Sequence, residues 1–312
     1  MWRILDISGD GYHVYVEHGN VKIAKEGAIT AVSFADIHSI ICHGYRNEFS
    51  ETFLSKCIEY SIPVIFCDGS HTPSGMLLPW YQHGESFLRQ KIQMEMTVPK
   101  GKRAWKYIIQ AKIRAQAYVL ELYALPQGKL LYQLADKVSS GDSANMEAQA
   151  ARIYFTALFG KHFLRSDDTN PINGYLNYGY TIIRSLVARM VAGCGLNPSI
   201  GIFHSGARNS FCLIDDLMEP LRPLVDLKVI NMAIADRTLS LSPKDKKELI
   251  SIITMIVDFN GQSMELMNAV KLYVIDYLRF ISGKRRDITI PVAGEINHGS
   301  GSISICVAVC CI

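Results

Sequence analysis

The apolar positions of this chain keep two different periods. Up to about residue 80 they fall in short runs, RILDI, YHVYVE and VKIAKEG, separated by GDG and HGN and followed by IHSIICHG and IPVIFCD. Runs of this length and β-prone composition, bounded by Gly and Asn, predict strands. SETFLSKCIEYS interrupts them with a Ser start and apolar residues three and four apart, which predicts one helix. From about Glu85 the spacing becomes helical. It stays so through RQKIQMEM, KRAWKYIIQAKIRAQAYVLELYAL, EAQAARIYFTALFG, YLNYGYTIIRSLVARMVAGCG, PKDKKELISIITMIVDF and SMELMNAVKLYVIDYLRFISG. Several of these are apolar on nearly every face and so predict buried helices. LRSDDTNPING and GLNPSIG divide them with Asn, Pro and Gly.

The expected class is therefore α+β, a small N-terminal β-domain followed by a larger, mostly α-helical domain. The boundaries fall at 1–84 for the β-rich part, 85–94 for a linker, 95–292 for the helical part and 293–312 for a tail. The tail ends SGSISICVAVCCI, β-prone and without charge, and no function follows from it.

Charge changes the picture more than composition does. With 312 residues, 49% apolar and 20% charged, the chain can bury a sizeable core, and extensive disorder is excluded. The formal net charge of +3 hides an asymmetry: residues 1–85 hold 5 Lys and Arg against 10 Asp and Glu, whereas the rest holds 27 against 19. Only the second part suits a polyanion. The eight cysteines, at 42, 57, 67, 194, 212, 306, 310 and 311, form no CxxC pair, so neither a zinc ribbon nor a dithiol redox site is supported. The start MWRILDIS lacks a basic-then-apolar leader, and no apolar run approaches the ~18 residues of a membrane span. A reduced, cytoplasmic protein without membrane contact is expected.

Three stretches carry candidate chemistry. FHSGARNSFCLIDDLMEPLRP (203–223) sets His204, Asp215, Asp216 and Glu219 in apolar surroundings, where an ionised carboxylate needs a partner. On a helix Asp216 and Glu219 share a face at i and i+3, yet first-turn acids at a helix N-terminus would read the same way. Glu147 opens EAQAARIYF and could equally be a dipole-satisfying acid, with Ala150 and Ala151 permitting close approach. Between residues 96 and 120 stand Lys100, Lys102, Arg103, Lys106, Lys112 and Arg114 with no acid, and Trp105 and Tyr107 lie among them. That run is either the solvated face of a helix or a phosphate-binding surface, and Lys284, Arg285 and Arg286 form a second cluster.

In order, these stretches resemble the Cas-one family, the integrase of CRISPR adaptation. The family pattern is Glu-x-x-Ala-Ala-Arg-x-Tyr, then Leu-Asn-Tyr-Gly-Tyr, then a Gly-x-x-His loop and Asp-Leu-Met-Glu-Pro-x-Arg-Pro. Here Glu147, Ala150, Ala151, Arg152 and Tyr154 fit the first, with an additional alanine at 148. LNYGY and GIFHSGARNSFCLIDDLMEPLRPLVD supply the others. GMLLPWYQH and WKYIIQAKIRAQA also look familial. DDLMEPLRPLVD and the length look most like versions found beside Cas-nine, in type II systems. The likeness runs to about residue 292, and the tail departs from it.

The resemblance implies a dimerising β-domain, a helical catalytic domain and a divalent metal held by Glu147, His204 and Glu219. Asp216 would support that set, and Asp215 matches a variable position. Two carboxylates and one imidazole make a hard, mostly oxygen site, which favours Mg²⁺ or Mn²⁺ over zinc. The implied reaction joins the 3′-hydroxyl ends of a short foreign duplex into the CRISPR array by transesterification. Lys102, Arg103, Lys106 and Lys112 are candidates for gripping double-stranded DNA, and Arg222 for a place close to the metal. A homodimer, a Cas-two dimer and possible company of Cas-nine and other adaptation proteins are the implied partners. Two other functions fit the same residues: a metal nuclease of branched DNA, and a DNA-binding scaffold whose acids only cap helices.

Overall fold

The computed structural model describes residues 3–68, 73–79, 84–206, 209–235 and 240–293. The first part is two small sheets. Strands β1 (Arg3–Ser8), β2 (His13–Glu17), β3 (Asn20–Lys25), β4 (Ala28–Ser33), β5 (Ile37–His43) and β6 (Glu48–Phe49) precede helix α1 (Glu51–Glu59), and β7 (Val64–Cys67) and β8 (Pro73–Leu77) follow it. One sheet has the order β4-β3-β2-β6 and the other β1-β5-β7-β8. The two bury Val14, Val21, Ile40, Phe53 and Val64 between them. β5 is buried at every residue and pairs in parallel with β1 and β7, which accounts for the unbroken apolar run IHSIICH. The strand pattern in the sequence omits β4, which extends the meander beyond the Glu26-Gly27 turn. Of GMLLPWYQH, residues 80–83 lie outside the described residues.

The second part is mostly helical. It runs α2 (Ser86–Met94), α3 (Val98–Leu122), α4 (Gln127–Lys137), α5 (Met146–Phe159), α6 (Pro171–Gly193), α7 (Cys212–Met218), α8 (Arg222–Ala235), α9 (Pro243–Ile250) and α10 (Leu266–Ile281). The 25-residue α3, about 37 Å long at 1.5 Å per residue, packs along α4, α5 and α8, while α6 packs on α7, α8 and α10. The stretch expected to link the two parts is itself mostly α2. Its Arg89 Nη1 donates to the Cys194 carbonyl at 3.0 Å, and its Gln93 Oε1 accepts from the Asn197 amide at 2.7 Å.

PKDKKELISIITMIVDF departs from its single expected helix. α9 ends at Ile250, a 3-10 turn covers Ser251–Thr254, and β9 (Ile256–Phe259) pairs with β10 (Gln262–Glu265) and β11 (Val292–Ala293). Asn260 and Gly261 join β9 to β10 with φ of 57° and 79°, the left-handed pair that a two-residue hairpin turn requires. Apart from Ala293, the tail lies outside the described residues.

The sheets do not stand apart from the helices. Ile4, Ile41 and Ile65 belong to the same apolar core as α3, α6 and α10. Polar ties reinforce the contact: Lys246 Nζ donates to Ser8 Oγ at 2.6 Å, Ser39 and Ser185 bond through their hydroxyls at 3.1 Å, and Arg189 donates to the carbonyls of Ile37 and His38. Among the described residues no helix is long and apolar enough to cross a membrane.

Candidate active site

Three segments far apart in sequence meet where α3, α5 and the α7–α8 junction pack together. Glu147 lies in the first turn of α5, but it does not cap that helix. Asp142 accepts from the Met146 and Glu147 amides at 2.8 and 3.0 Å, and Asn145 accepts from Ala148 N, so the exposed amides are already served. The Glu147 carboxylate is thereby free to face α3. Glu219 begins the 3-10 turn Glu219–Leu221, where Pro220 interrupts the α-helical pattern between α7 and α8. Its side chain is 8% exposed.

Lys112, midway along α3, joins the two acids. Its Nζ donates to Glu147 Oε1 at 2.5 Å and to Glu219 Oε2 at 2.5 Å. Burial alone would lower the lysine's pKa, but Glu219 and Glu147 outweigh it and hold the ammonium above its ordinary value. Burial likewise pushes Glu219 up, yet Arg222 and Lys112 prevail and bring it down to about 2. Arg222 Nε donates to Glu219 Oε1 at 2.9 Å, and its guanidinium lies 4.7 Å from the Tyr180 ring centre.

His204 is positioned by Asp216. That carboxylate is fully buried in α7 and accepts from the amides of Ile202, Phe203 and His204 at 2.6, 2.9 and 3.3 Å. It also accepts from His204 Nδ1 at 2.5 Å. A carboxylate only accepts, so Nδ1 carries the proton of this bond and Nε2 takes no part in it. The hydrogen bond to Asp216 raises His204's pKa, burial opposes it, and the charges of Asp216 and Glu219 add to the rise. Gly201 lets the loop close, and Phe203 stacks on the buried Trp105 with ring centres 4.4 Å apart. An open cleft of about 410 Å³ lies against His204, lined also by Ser199, Gly201, Ser205, Gly206 and Asn209.

The basic residues read from the sequence divide. Lys112 is a buried partner of two acids. Lys102 and Arg103 are exposed on the N-terminal half of α3 and Lys106 is half-buried there. Arg103 lies over the Phe280 ring at 5.1 Å, and the stem of Lys102 packs on Gly141. Arg114 pairs with Asp136, and Arg285 with Asp276 and Asp287. Asp215 accepts from Arg184 Nε and from Asn209 Nδ2, both at 2.8 Å, and so ties α6 to the loop before α7. Sequence patterns single out neither Asp142 nor Arg184, and they group Trp105 with the basic run although it supports the His204 loop.

Among the described residues, no three His, Cys, Asp or Glu side chains are drawn together into a ready-made metal cluster. The donors nevertheless suit a hard cation. One ammonium already satisfies both glutamates, and each of His204 and Glu219 lies in the other's field. The carboxylate-bonded imidazole is the arrangement that presents a histidine nitrogen to a metal.

A sequence profile described as "CRISPR associated protein Cas1" matches residues 5–248. The chain is 34% identical over 285 residues to a CRISPR-associated endonuclease Cas1 of Neisseria meningitidis serogroup C (strain 8013), covering 91% of this chain and 93% of that one. Its fold is similar to that of a casposase bound to its integration product, with a TM-score of 0.79 at 19% identity over 91% of this chain and 92% of that one. It is also similar to a chain of a Cas6-RT-Cas1–Cas2 complex, with a TM-score of 0.73 at 20% identity over 91% of this chain and 35% of that one.

Proposed function

For a chain that belongs to the Cas1 family of CRISPR-associated proteins, as the profile match and the 34% identical relative establish, we propose that the helical part is a divalent-metal-dependent DNA integrase of spacer acquisition. The 3′-oxygen of a short duplex attacks a phosphodiester at the end of a CRISPR repeat. A new P–O bond forms to the incoming strand as the bond to the departing 3′-oxygen breaks; the proton of the attacking hydroxyl passes to solvent, and the departing 3′-oxygen takes one from solvent. The observation that carries this reading is the meeting of Glu147 and Glu219 on one cation, with His204, held by Asp216, in the field of Glu219.

Mg²⁺ or Mn²⁺ held by Glu147, His204 and Glu219 would supply Lewis acidity at the scissile phosphate and favour the alkoxide of the attacking hydroxyl. Glu219 stays ionised throughout the neutral range, because Arg222 and Lys112 hold its pKa down. Asp216 keeps the Nδ1 proton of His204 in place, so Nε2 remains the donor nitrogen. No side-chain nucleophile is required. Tyr178 is buried, and burial together with Asp6 pushes its phenol far above the ordinary value. Lys102, Arg103 and Lys106 supply positive charge for duplex backbone along the outer face of α3.

The acidic, sheet-built N-terminal part suits protein contacts better than DNA, and we assign it the homodimer interface. A Cas-two dimer is the partner assigned to the assembled enzyme, in keeping with the Cas1–Cas2 complex among the structural neighbours. DDLMEPLRPLVD favours a type II setting, beside Cas-nine. The name endonuclease carried by the Neisseria relative favours a second reading, in which water replaces the 3′-hydroxyl at the same site and branched DNA is cleaved.

The test is joining of a labelled short duplex to a supercoiled plasmid bearing a repeat, with Mn²⁺ and the Cas-two partner. Wild type is compared with Glu147→Ala and His204→Ala. Joining by wild type alone supports the proposal. Joining by the folded variants at the wild-type rate would remove the ligand assignment. Cleavage of branched DNA without joining would favour the nuclease, and tight DNA binding without either reaction would leave a scaffold.

A further inference from the structure

Lys112 stands between the two carboxylates that the proposed metal would need. Its Nζ is 2.5 Å from an oxygen of each, and its side chain is only 11% exposed. Two carboxylates brought together, Glu219 buried and Glu147 27% exposed, repel each other and demand a counter-charge. In this arrangement the ammonium supplies it. A hard divalent ion would use the same oxygens at roughly 2.0–2.6 Å, so ammonium and metal compete for both space and charge.

We infer that Lys112 is a tethered counter-cation that exchanges with the metal: it holds Glu147 and Glu219 together in the metal-free protein and leaves as the divalent ion enters. This rests on Glu147 and Glu219 being metal ligands. The flexible four-carbon stem of lysine allows the ammonium to swing away while α3 stays fixed by its buried neighbours Ile108, Ile109 and Ile113. The exchange makes the site weaker for metal than its donors alone would be, and it stabilises the metal-free fold. Metal loading then has two parts, displacement of an internal ion pair and coordination of the new ion.

Binding of Mn²⁺ to the full-length chain, followed by calorimetry and by the free-Mn²⁺ spin-resonance signal, tests this in wild type, Lys112→Met and Glu147→Gln. Lys112→Met is expected to bind Mn²⁺ about tenfold more tightly, a gain of about 1.4 kcal/mol. Its melting temperature in chelator is expected to fall below that of wild type, and to rise more on adding Mn²⁺. Equal or weaker binding by Lys112→Met, with binding still lost in Glu147→Gln, overturns the exchange and leaves the ligand set standing. If Glu147→Gln binds as wild type does, or wild type binds no Mn²⁺, the ligand assignment itself falls. Should Lys112→Met fold only when Mn²⁺ is present, the exchange is supported. Failure to fold in either condition makes Lys112 a structural residue and overturns it.

Discussion

A Cβ placed on Gly201 would stand 2.2 Å from the carbonyl oxygen of His204 and 2.8 Å from Cys212 Cβ. The loop that carries the histidine thus folds back on its own glycine, and the Gly-x-x-His spacing is a steric requirement. Gly201→Ala has to push the loop off Asp216. Joining activity is expected to fall about 100-fold, since a misplacement of about 1 Å can cost that much. Unfolding measurements should show a loss of about 1–3 kcal/mol, the usual cost of overpacking. A variant with wild-type turnover would mean that the loop position is not critical.

Asp216 is the counterpart on the helix side. It accepts three backbone amides and the His204 Nδ1 proton, so replacing it by Asn removes the charge and puts an amide donor beside other donors. Asp216→Asn should weaken Mn²⁺ binding by about 10–100-fold, as loss of a ligand's hydrogen-bonding partner commonly does. The His204 pKa, followed by NMR, should fall from its raised position. If metal affinity and the histidine titration both stay unchanged, Asp216 does not position His204.

The sequence shows the ligand candidates because each sits in a locally distinctive string: a glutamate starting EAQAARIYF, a Gly-x-x-His loop, and DLMEP. It does not show what holds them. Lys112 is one of six basic residues in an acid-free run, and nothing local marks it as the one that turns inward to Glu147 and Glu219, 35 and 107 positions away. Trp105 has the same problem, since an aromatic among lysines reads only as part of the basic run until the packing of Phe203 is known. The β9–β10 hairpin was different. Its Asn-Gly turn was visible in IVDFNGQSME, but apolar residues at helical spacing on both sides concealed it. The two-part, β-then-α organisation was plain because the hydrophobic period changes once and stays changed.

Asp226 provides a pH test away from the proposed ligands. It is buried in α8 and accepts from the Tyr180 hydroxyl at 2.5 Å. Burial raises its pKa from 3.8 to about 6, against the lowering effects of Tyr180, Tyr154 and Arg222. A carboxyl raised in the folded state contributes stability below pH 3.8, and that contribution is lost as pH rises through about 6. The loss is about 3 kcal/mol at about 1.4 kcal/mol per pKa unit. Asp226→Asn should therefore gain on wild type by about that amount between pH 3 and 7.5 in urea unfolding. Parallel stability curves would show that folding leaves the Asp226 pKa unshifted.

The outer face of α3 gives the last prediction. Lys102, Arg103 and Lys106 are offered as phosphate contacts, whereas Arg114 is engaged with Asp136 on the same helix's far half. Each true phosphate contact releases condensed counterions, so its removal reduces the salt slope of duplex binding by about one. Lys102→Ala, Arg103→Ala and Lys106→Ala should each flatten the slope by about that amount, and weaken binding alike on repeat and unrelated DNA. Arg114→Ala should leave the slope unchanged, and since its ion pair with Asp136 is at the surface, stability should move by less than about 1 kcal/mol. These measurements belong in chelator, so that the proposed metal ligands do not enter the result. An unchanged slope in all three α3 variants would place the duplex elsewhere on the helical part, while a change with Arg114→Ala would extend the DNA track toward the far half of α3.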